Sequence, residues 1–373
     1  MRYKILFISS WFPNKLEPTN GNFVQRHAEA VSRLHDVEIL HAIGDATQKQ
    51  TYVFDNRIIN DIRILIVYYR NSTNSLLNFI RRMKSYHQGF ARLQKPDLVH
   101  ANVLHNSMLF AVYLKKHFKI PFVITEHWSG FLKVNRSRLS KTQLFIAKYI
   151  ANNAQFVLPV SQYLSNDLKE LGWKTKLEVI GNVVDTDLFA LKSNTEKPFK
   201  FLHISNLIAL KNPDKIIAAA IKLHQEFNNF ELHIGGDGDV EKLNELVKNN
   251  GAESFIKTFP ILTLPEVAKK MRSSDCFILF SDYENFPCVL LESLSTGTPA
   301  IATTVGGIPE IINDRNGVLI SNSEEGLYEA MKAVVQKKVE FVDPDDLRQF
   351  VEEHFSMKVI AQEFNKIYRQ ILS

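Results

Sequence analysis

Cysteine is nearly missing from this 373-residue chain, which has only Cys276 and Cys288. Two cysteines cannot build a disulfide framework. A single bridge between them stays open, but their scarcity points to a reduced, cytoplasmic protein. Long hydrophobic runs are missing too. The apolar run at 5–8 ends in Ser9-Ser10-Trp11-Phe12-Pro13. It is too short for a signal core or a membrane span and reads as a first buried strand. There is no paired zinc-ligand spacing, no G-x-S-x-G nucleophile elbow, no internal repeat and no low-complexity tract. Gly236-Asp237-Gly238 opens like a dinucleotide fingerprint but lacks its third glycine.

What is present is the balance of a globular protein, 45% apolar and 23% charged, with enough chain for two cores. The net charge of +5 hides an asymmetry: the formal charge is +12 through Lys192 and −7 after it. A basic first half points to an anionic surface or partner. No helix-turn-helix, zinc or RNA-recognition signature accompanies the charge, so a membrane surface or an anionic acceptor is favoured over nucleic acid. Two basic clusters, Arg81-Arg82-Met83-Lys84 and Lys133, Arg136, Arg138 and Lys141, have Phe79, Tyr86, Phe90, Phe131 and Leu132 nearby. They read either as solvated helix faces or as contacts with anionic lipid headgroups.

Short β-rich runs alternate with helical patterns along the whole chain. Strands are predicted at 4–9, 37–42, 62–68, 98–101, 122–125, 156–160 and 177–180. A second series follows at 199–205, 230–235, 256–259, 276–280, 300–303 and 318–320. Helical patterns cover 22–34, 76–93 and 106–118, and a last amphipathic helix covers 357–372. Strands alternating with helices imply parallel sheets covered on both faces. The fold class is therefore α/β, with two doubly wound, Rossmann-like domains. The polar stretch 191–198, ending in Pro198, is the predicted linker. It sets domains at 1–190 and 191–355, with a C-terminal helix at 356–373.

In such sheets ligands bind beyond the carboxyl ends of the strands, and the densest signal lies there. Glu284 follows a buried strand, Pro287 suits the first turn of the next helix, and Glu292 sits over a turn further along it. Two carboxylates flanking a helix N-terminus suit a nucleotide sugar. The acids accept hydrogen bonds from hydroxyls, and the free N–H groups hold a diphosphate.

Glu284 and Glu292 match the E-x7-E motif of retaining GT-B glycosyltransferases of family four, the glycosyl transferases group 1. Glu284-Asn285-Phe286-Pro287-Cys288-Val289 through Leu291-Glu292, Gly297-Thr298-Pro299 and Thr304-Val305-Gly306-Gly307-Ile308-Pro309-Glu310 resemble that family's extended block. The resemblance implies that Glu284 faces the donor sugar and Glu292 the ribose, with Asn285, Phe286, Pro287, Cys288 and Val289 between them at the donor. Thr125-Glu126-His127 is similar to the segment whose histidine lies near the anomeric carbon, which makes His127 a catalytic candidate beside Glu284 and Lys211. Gly21, in Asn20-Gly21-Asn22-Phe23, stands where the family places a flexible glycine near the donor phosphates. Val160-Ser161 and Gly181-Asn182-Val183-Val184-Asp185 resemble segments leading into the hinge.

The family's second domain opens on a segment that supplies an arginine and a lysine to the diphosphate. Lys211 is retained there, but Asn206 replaces the arginine. Asn206 can donate a hydrogen bond but carries no charge.

By the same resemblance, the two domains face each other across a cleft, acceptor on the N-terminal side and nucleotide sugar on the C-terminal side, and the last helix crosses back onto the first domain. The implied activity is sugar transfer with retention, of the hexosyltransferase type. The acceptor would be a saccharide or lipid-linked saccharide of cell-surface polysaccharide or glycolipid biosynthesis, with the enzyme cytoplasmic or peripheral at the inner membrane face. No cofactor or metal is expected. Asp185-Thr186-Asp187 has the D-x-D form of metal-dependent transferases, but the hinge-like position accounts for it without a metal. Two alternatives stay open: a non-catalytic sugar-nucleotide-binding subunit, which Asn206 favours, and a sugar-nucleotide epimerase of the same architecture.

Overall fold

A computed structural model of the chain describes residues 1–192 and 198–373. The central part of the expected linker, 193–197, lies outside the described residues. The chain divides into two compact units, one of residues 1–183 with 357–373 and one of residues 184–356.

The first unit holds an eight-stranded sheet of β1 (Lys4–Ser9), β2 (Asp36–Asp45), β3 (Tyr52–Ile59), β4 (Ile62–Arg70), β5 (Leu98–Asn102), β6 (Phe122–Glu126), β7 (Phe156–Pro159) and β8 (Lys176–Leu177). Their order is β3-β4-β2-β1-β5-β6-β7-β8. All neighbours are parallel except β3 and β4, an antiparallel hairpin. β3 has no counterpart among the predicted strands. Its turn residues, Asn60 and Asp61, both take left-handed conformations, the geometry of a two-residue hairpin turn. The strand predicted at 177–180 shrinks to two residues, because beyond Leu177 the backbone N–H groups of Glu178 and Ile180 bond β7 without ladder geometry.

Five helices come from the first part of the chain: α1 (Asn22–Ser32), α2 (Ser75–Phe90), α3 (Leu109–Phe118), α4 (Lys141–Asn153) and α5 (Gln162–Lys169). Their starts are chemically marked. Asn74 caps α2 by accepting from the Leu77 N–H at 3.1 Å, and Ser140 and Gln143 form a reciprocal capping box on α4. Alternate residues of β1 serve opposite faces, as a strand requires. Leu6 and Ile8 join Tyr86, Phe110, Ile150 and Leu164 of the α2–α5 layer, while Ile5 and Phe7 join Val24 and Val31 of α1 on the other side.

The second unit is a six-stranded, wholly parallel sheet of β9 (Phe199–Ser205), β10 (Phe230–Gly236), β11 (Ile256–Phe259), β12 (Cys276–Leu279), β13 (Ala300–Thr303) and β14 (Gly317–Ile320). The order is β11-β10-β9-β12-β13-β14. It carries α6 (Pro213–His224), α7 (Val240–Asn249), α8 (Leu264–Arg272), α9 (Cys288–Ser295), α10 (Glu324–Val335) and α11 (Pro344–Phe355). Residues 184–192 pack with this unit. The Val184 N–H donates to Phe355 O, and Arg348 donates to the carbonyls of Thr186 and Phe189. The last helix, α12 (Met357–Leu372), packs on the first unit beside α1, burying Ile360, Phe364 and Tyr368.

The six parallel strands of the second unit run in the order three-two-one-four-five-six, and the seven parallel strands of the first follow the same order with β8 added at the end. The chain reverses its direction of travel between β9 and β12, and again between β1 and β5. These are the switch points where such sheets open a crevice at their carboxyl ends.

Candidate functional site

At the second unit's switch point, the loops after β9 and β12 are tied together. The Asp282 N–H donates to Leu210 O at 3.0 Å, and the Asn212 side-chain amide donates to the Asp282 carboxylate at 2.8 Å. Asn322, just past β14, donates to the same carboxylate oxygen at 3.0 Å. The amides of Asn212 and then Asn322 hold the Asp282 carboxyl below its ordinary range. Asn212, in a left-handed conformation, begins α6.

The brace brings Lys211 and Glu284 together. Lys211 closes a short 3-10 turn, Ala209–Lys211, and its ammonium pairs directly with the Glu284 carboxylate. The two side chains are only 16% and 11% exposed, so little water screens the pair. Behind Glu284 lies Gly306, at φ +56, where a Cβ would sit 1.7 Å from the Glu284 carbonyl oxygen. Only glycine permits that approach.

Eight residues beyond Glu284, Glu292 is the fifth residue of α9 and is 3% exposed. Pro287 lies one position outside the expected first turn, as the N-cap residue with an extended ψ of 115°. The first turn therefore starts at Cys288 and Val289, with no acidic residue in it to neutralise the helix end. Phe286 turns inward and meets Phe355 with ring centroids 5.6 Å apart. It anchors the loop, while Asn285 beside it is also buried. Asn206 is exposed in the loop after β9, beside Leu207 at φ +52. Neither cysteine forms a disulfide: Cys276 is buried, with its thiol pushed up to about 12 by that burial, and Cys288 is half-buried.

His127 and Gly21 belong to the first unit. Gly21 begins α1 at φ +75, with its Cβ direction blocked by the Trp11 carbonyl at 2.4 Å. Phe23, two residues on, lies over His127 with centroids 4.2 Å apart, and His27 lies 5.3 Å from His127. Burial, with His27 and His100 nearby, drives the His127 pKa well below the ordinary histidine value, so the ring is neutral. Beside it is a group that the sequence reading quoted without a role. Glu126 accepts the backbone N–H groups of Leu104 and Trp128, both at 2.6 Å, and burial pushes its carboxyl up to about 7. The clamp holds Val103, a β-branched residue at φ +68, a strained conformation of the kind that gathers at functional sites.

Lys211, Glu284 and the 285–292 segment thus lie together at the carboxyl end of the second sheet, and Gly21 and His127 lie at that of the first. Asp282, Asn212 and Glu126 were missed as site residues. Their signal was position alone, in the loops that follow β12 and β9 and on the last residue of β6. Asp185 accepts the Asp187 and Leu188 N–H groups at 3.1 and 3.2 Å, the work of a turn cap. Among the described residues no group of three or more His, Cys, Asp or Glu is placed to hold a metal ion. No helix of the described residues is long and apolar enough to cross a membrane.

Comparison with known proteins agrees with this geometry. Residues 184–353 match the glycosyl transferases group 1 family and residues 21–188 match glycosyltransferase family 4. An uncharacterized glycosyltransferase of Methanocaldococcus jannaschii is 26% identical over 371 residues, covering 96% of this chain and 97% of that protein. The N-acetyl-alpha-D-glucosaminyl L-malate synthase of Bacillus anthracis is 25% identical over 300 residues, 76% of this chain and 77% of that one. Among solved structures, a sucrose-phosphate synthase from Thermosynechococcus elongatus superposes with a TM-score of 0.78 at 18% identity, covering 99% of both chains. HepE from Anabaena, in complex with UDP-glucose, gives 0.73 at 18% identity, covering 99% of this chain and 100% of that one. The chain belongs to the family 4, group 1 glycosyltransferases and is a transferase of the GT-B fold.

Proposed function

We propose that the protein transfers a sugar from a nucleoside-diphosphate sugar to a saccharide or lipid-linked saccharide, with retention of configuration and without a metal. The observation that carries this reading is the half-buried Lys211–Glu284 pair at the switch point of the second sheet, one helix end away from Glu292. HepE, which shares the fold, was solved with UDP and with UDP-glucose.

In this reading the diphosphate lies against the N–H groups that open α9, and Lys211 stands between phosphate and Glu284. As the bond from the anomeric carbon to the diphosphate oxygen breaks, the sugar becomes oxocarbenium-like and negative charge builds on the leaving oxygen. Lys211 and the helix end meet that charge in a site with little water. A leaving oxygen can then take the acceptor proton on the face where the new bond forms, which gives retention. Glu284 positions sugar hydroxyls, and its pairing with Lys211 keeps the ammonium aimed into the crevice.

The test is proton NMR of the product formed by the purified protein from the donor that most raises its melting temperature. A product with the donor's anomeric configuration, formed equally well in EDTA, is the expected result. An inverted product, or turnover lost in EDTA and restored by Mn²⁺, contradicts the reading. Donor converted to its epimer would establish the epimerase alternative. Tight donor binding with no turnover on any acceptor would establish the non-catalytic subunit.

A further inference from the structure

Helices α2, α3 and α4 contain no aspartate or glutamate. From residue 62 to residue 166 the chain has fifteen lysines and arginines against two acids, Asp97 and Glu126, and Glu126 is fully buried. The three helices form one layer on one face of the first sheet, joined through Tyr86, Phe110 and Ile150, so their outer sides point the same way. An ordinary solvated face mixes both signs, as the opposite layer does: α1 carries Glu29 with Arg33, and α12 carries Glu363 with Lys366 and Arg369.

The acid-free face also exposes apolar side chains among its cations. On α2, Leu76 and Ile80 lead to Lys84 at helical spacing, and on α4 Lys141, Phe145 and Lys148 form the outer stripe. Phe145 is 72% exposed. Lys116 of α3 donates to the Tyr149 hydroxyl of α4 at 2.6 Å, joining the two stripes. Where α3 and α4 end, Lys115, Lys116 and Lys119 line a groove of about 340 Å³ with Asn153 and Gln155. Lys115 is held there by the Asn153 carbonyl at 2.6 Å, and among the described residues no carboxylate pairs with these three lysines.

We propose that the α2–α3–α4 face docks on an anionic lipid bilayer. Lysines spread over three helices match a surface of many headgroup charges, and the lysine-lined groove is open to headgroup phosphates. Exposed Phe145 and Tyr149 suit the boundary between headgroups and acyl chains, where aromatic rings concentrate. The proposal is independent of the donor site, which lies in the other unit.

The test uses the full chain and sedimentation with phosphatidylcholine vesicles, with and without phosphatidylglycerol. Each lysine near an anionic surface contributes roughly fivefold in partitioning. The triple variant Lys116→Gln, Lys141→Gln, Lys148→Gln should therefore bind anionic vesicles about a hundredfold more weakly. A control with the same charge loss on the opposite layer, Arg33→Gln, Lys366→Gln, Arg369→Gln, should lose far less. Phe145→Ser should weaken binding without changing its salt dependence, and ~1 M salt should release the wild type. Nucleotide-sugar affinity should be equal in wild type and both triples, so failure of the membrane proposal and failure of the donor reading give different results. Equal binding to neutral and anionic vesicles, or equal loss in both triples, overturns the proposal. So does retention of single-stranded nucleic acid through these lysines by a protein that ignores vesicles. The single variants Lys141→Gln and Lys148→Gln, at exposed positions, give the same answer if the triple does not fold.

Discussion

Lys211 and Glu284 sit 73 positions apart in the chain yet form one half-buried pair, and that pairing sets what each substitution should do. Lys211→Ala removes the cation and leaves a half-buried carboxylate facing an incoming diphosphate. A hydrogen bond to a charged group contributes roughly 1.5–3 kcal/mol, and each ~1.4 kcal/mol is tenfold in rate. Turnover should therefore fall at least about tenfold. Asn206→Ala, at an exposed position, should cost less, and Asn206→Arg should preserve or raise turnover. Steady-state kinetics on the three variants decide the matter, and wild-type turnover by Lys211→Ala would move the diphosphate site elsewhere. Sequence indicated both members of the pair through motif blocks and strand ends. It could not show that they pair with each other, because that depends on the Asp282–Asn212 brace, whose residues look like ordinary loop polars. Glu126 was hidden differently: as the last residue of a strand beside a candidate histidine it reads as flanking sequence, and only its two backbone partners reveal a clamp.

At the scale of elements, patterning made nearly every strand of the two sheets legible, because parallel strands buried on both faces form short, dense apolar runs. β3 escaped for the opposite reason. It is an edge strand, Tyr-Val-Phe-Asp-Asn-Arg-Ile-Ile, with polar residues in its middle and no fully buried position, although the Asn-Asp turn after it was a hairpin signal. The close approach of the loop after β13 to the loop after β12 was equally invisible, since Gly306 in isolation is only a turn residue. Gly306→Ala should push the Glu284 backbone away, through both the contact and the φ of +56. The expected outcome is donor affinity reduced at least about tenfold with far-UV circular dichroism unchanged. Wild-type affinity in a folded Gly306→Ala protein would separate the glycine loop from the donor site.

Charge divides across the whole molecule by unit. The first unit carries 28 basic and 13 acidic residues, +15, and the second 17 and 27, −10. Buried titratable groups are also uneven. Burial pushes His27, His41 and His105 of the first unit and His203 of the second down to about 4. A histidine depressed in the folded state contributes stability that is complete above its unfolded value near 6.5 and is lost as pH falls toward 4. Each such group gives a slope of about 1.4 kcal/mol per pH unit. Glu126, raised to about 7, opposes them: its contribution falls as pH rises from its unfolded value through 7, with one group's slope. Four groups against one fix the sign, so stability should drop steeply below about pH 6.5. Three of the four lie in the first unit, which should lose structure first. Thermal scans from pH 7.5 to 4.5 check this, and a melting temperature flat across that range would contradict the buried neutral histidines.

The central claim is that the crevice holding Glu284, Lys211 and Glu292 binds a nucleotide sugar, and calorimetry on paired ligands tests it most directly. A nucleoside diphosphate and its sugar conjugate would be titrated into wild type, Glu284→Ala and Glu292→Ala. Glu292→Ala should weaken both ligands alike, because its carboxylate serves the nucleoside. Glu284→Ala should leave most of the diphosphate affinity in place, since Lys211 and the start of α9 remain, while the sugar conjugate loses its added affinity. Wild-type binding of both ligands by both variants would contradict a donor site there, because the Lys211–Glu284 pair and the helix beyond it would then be structural.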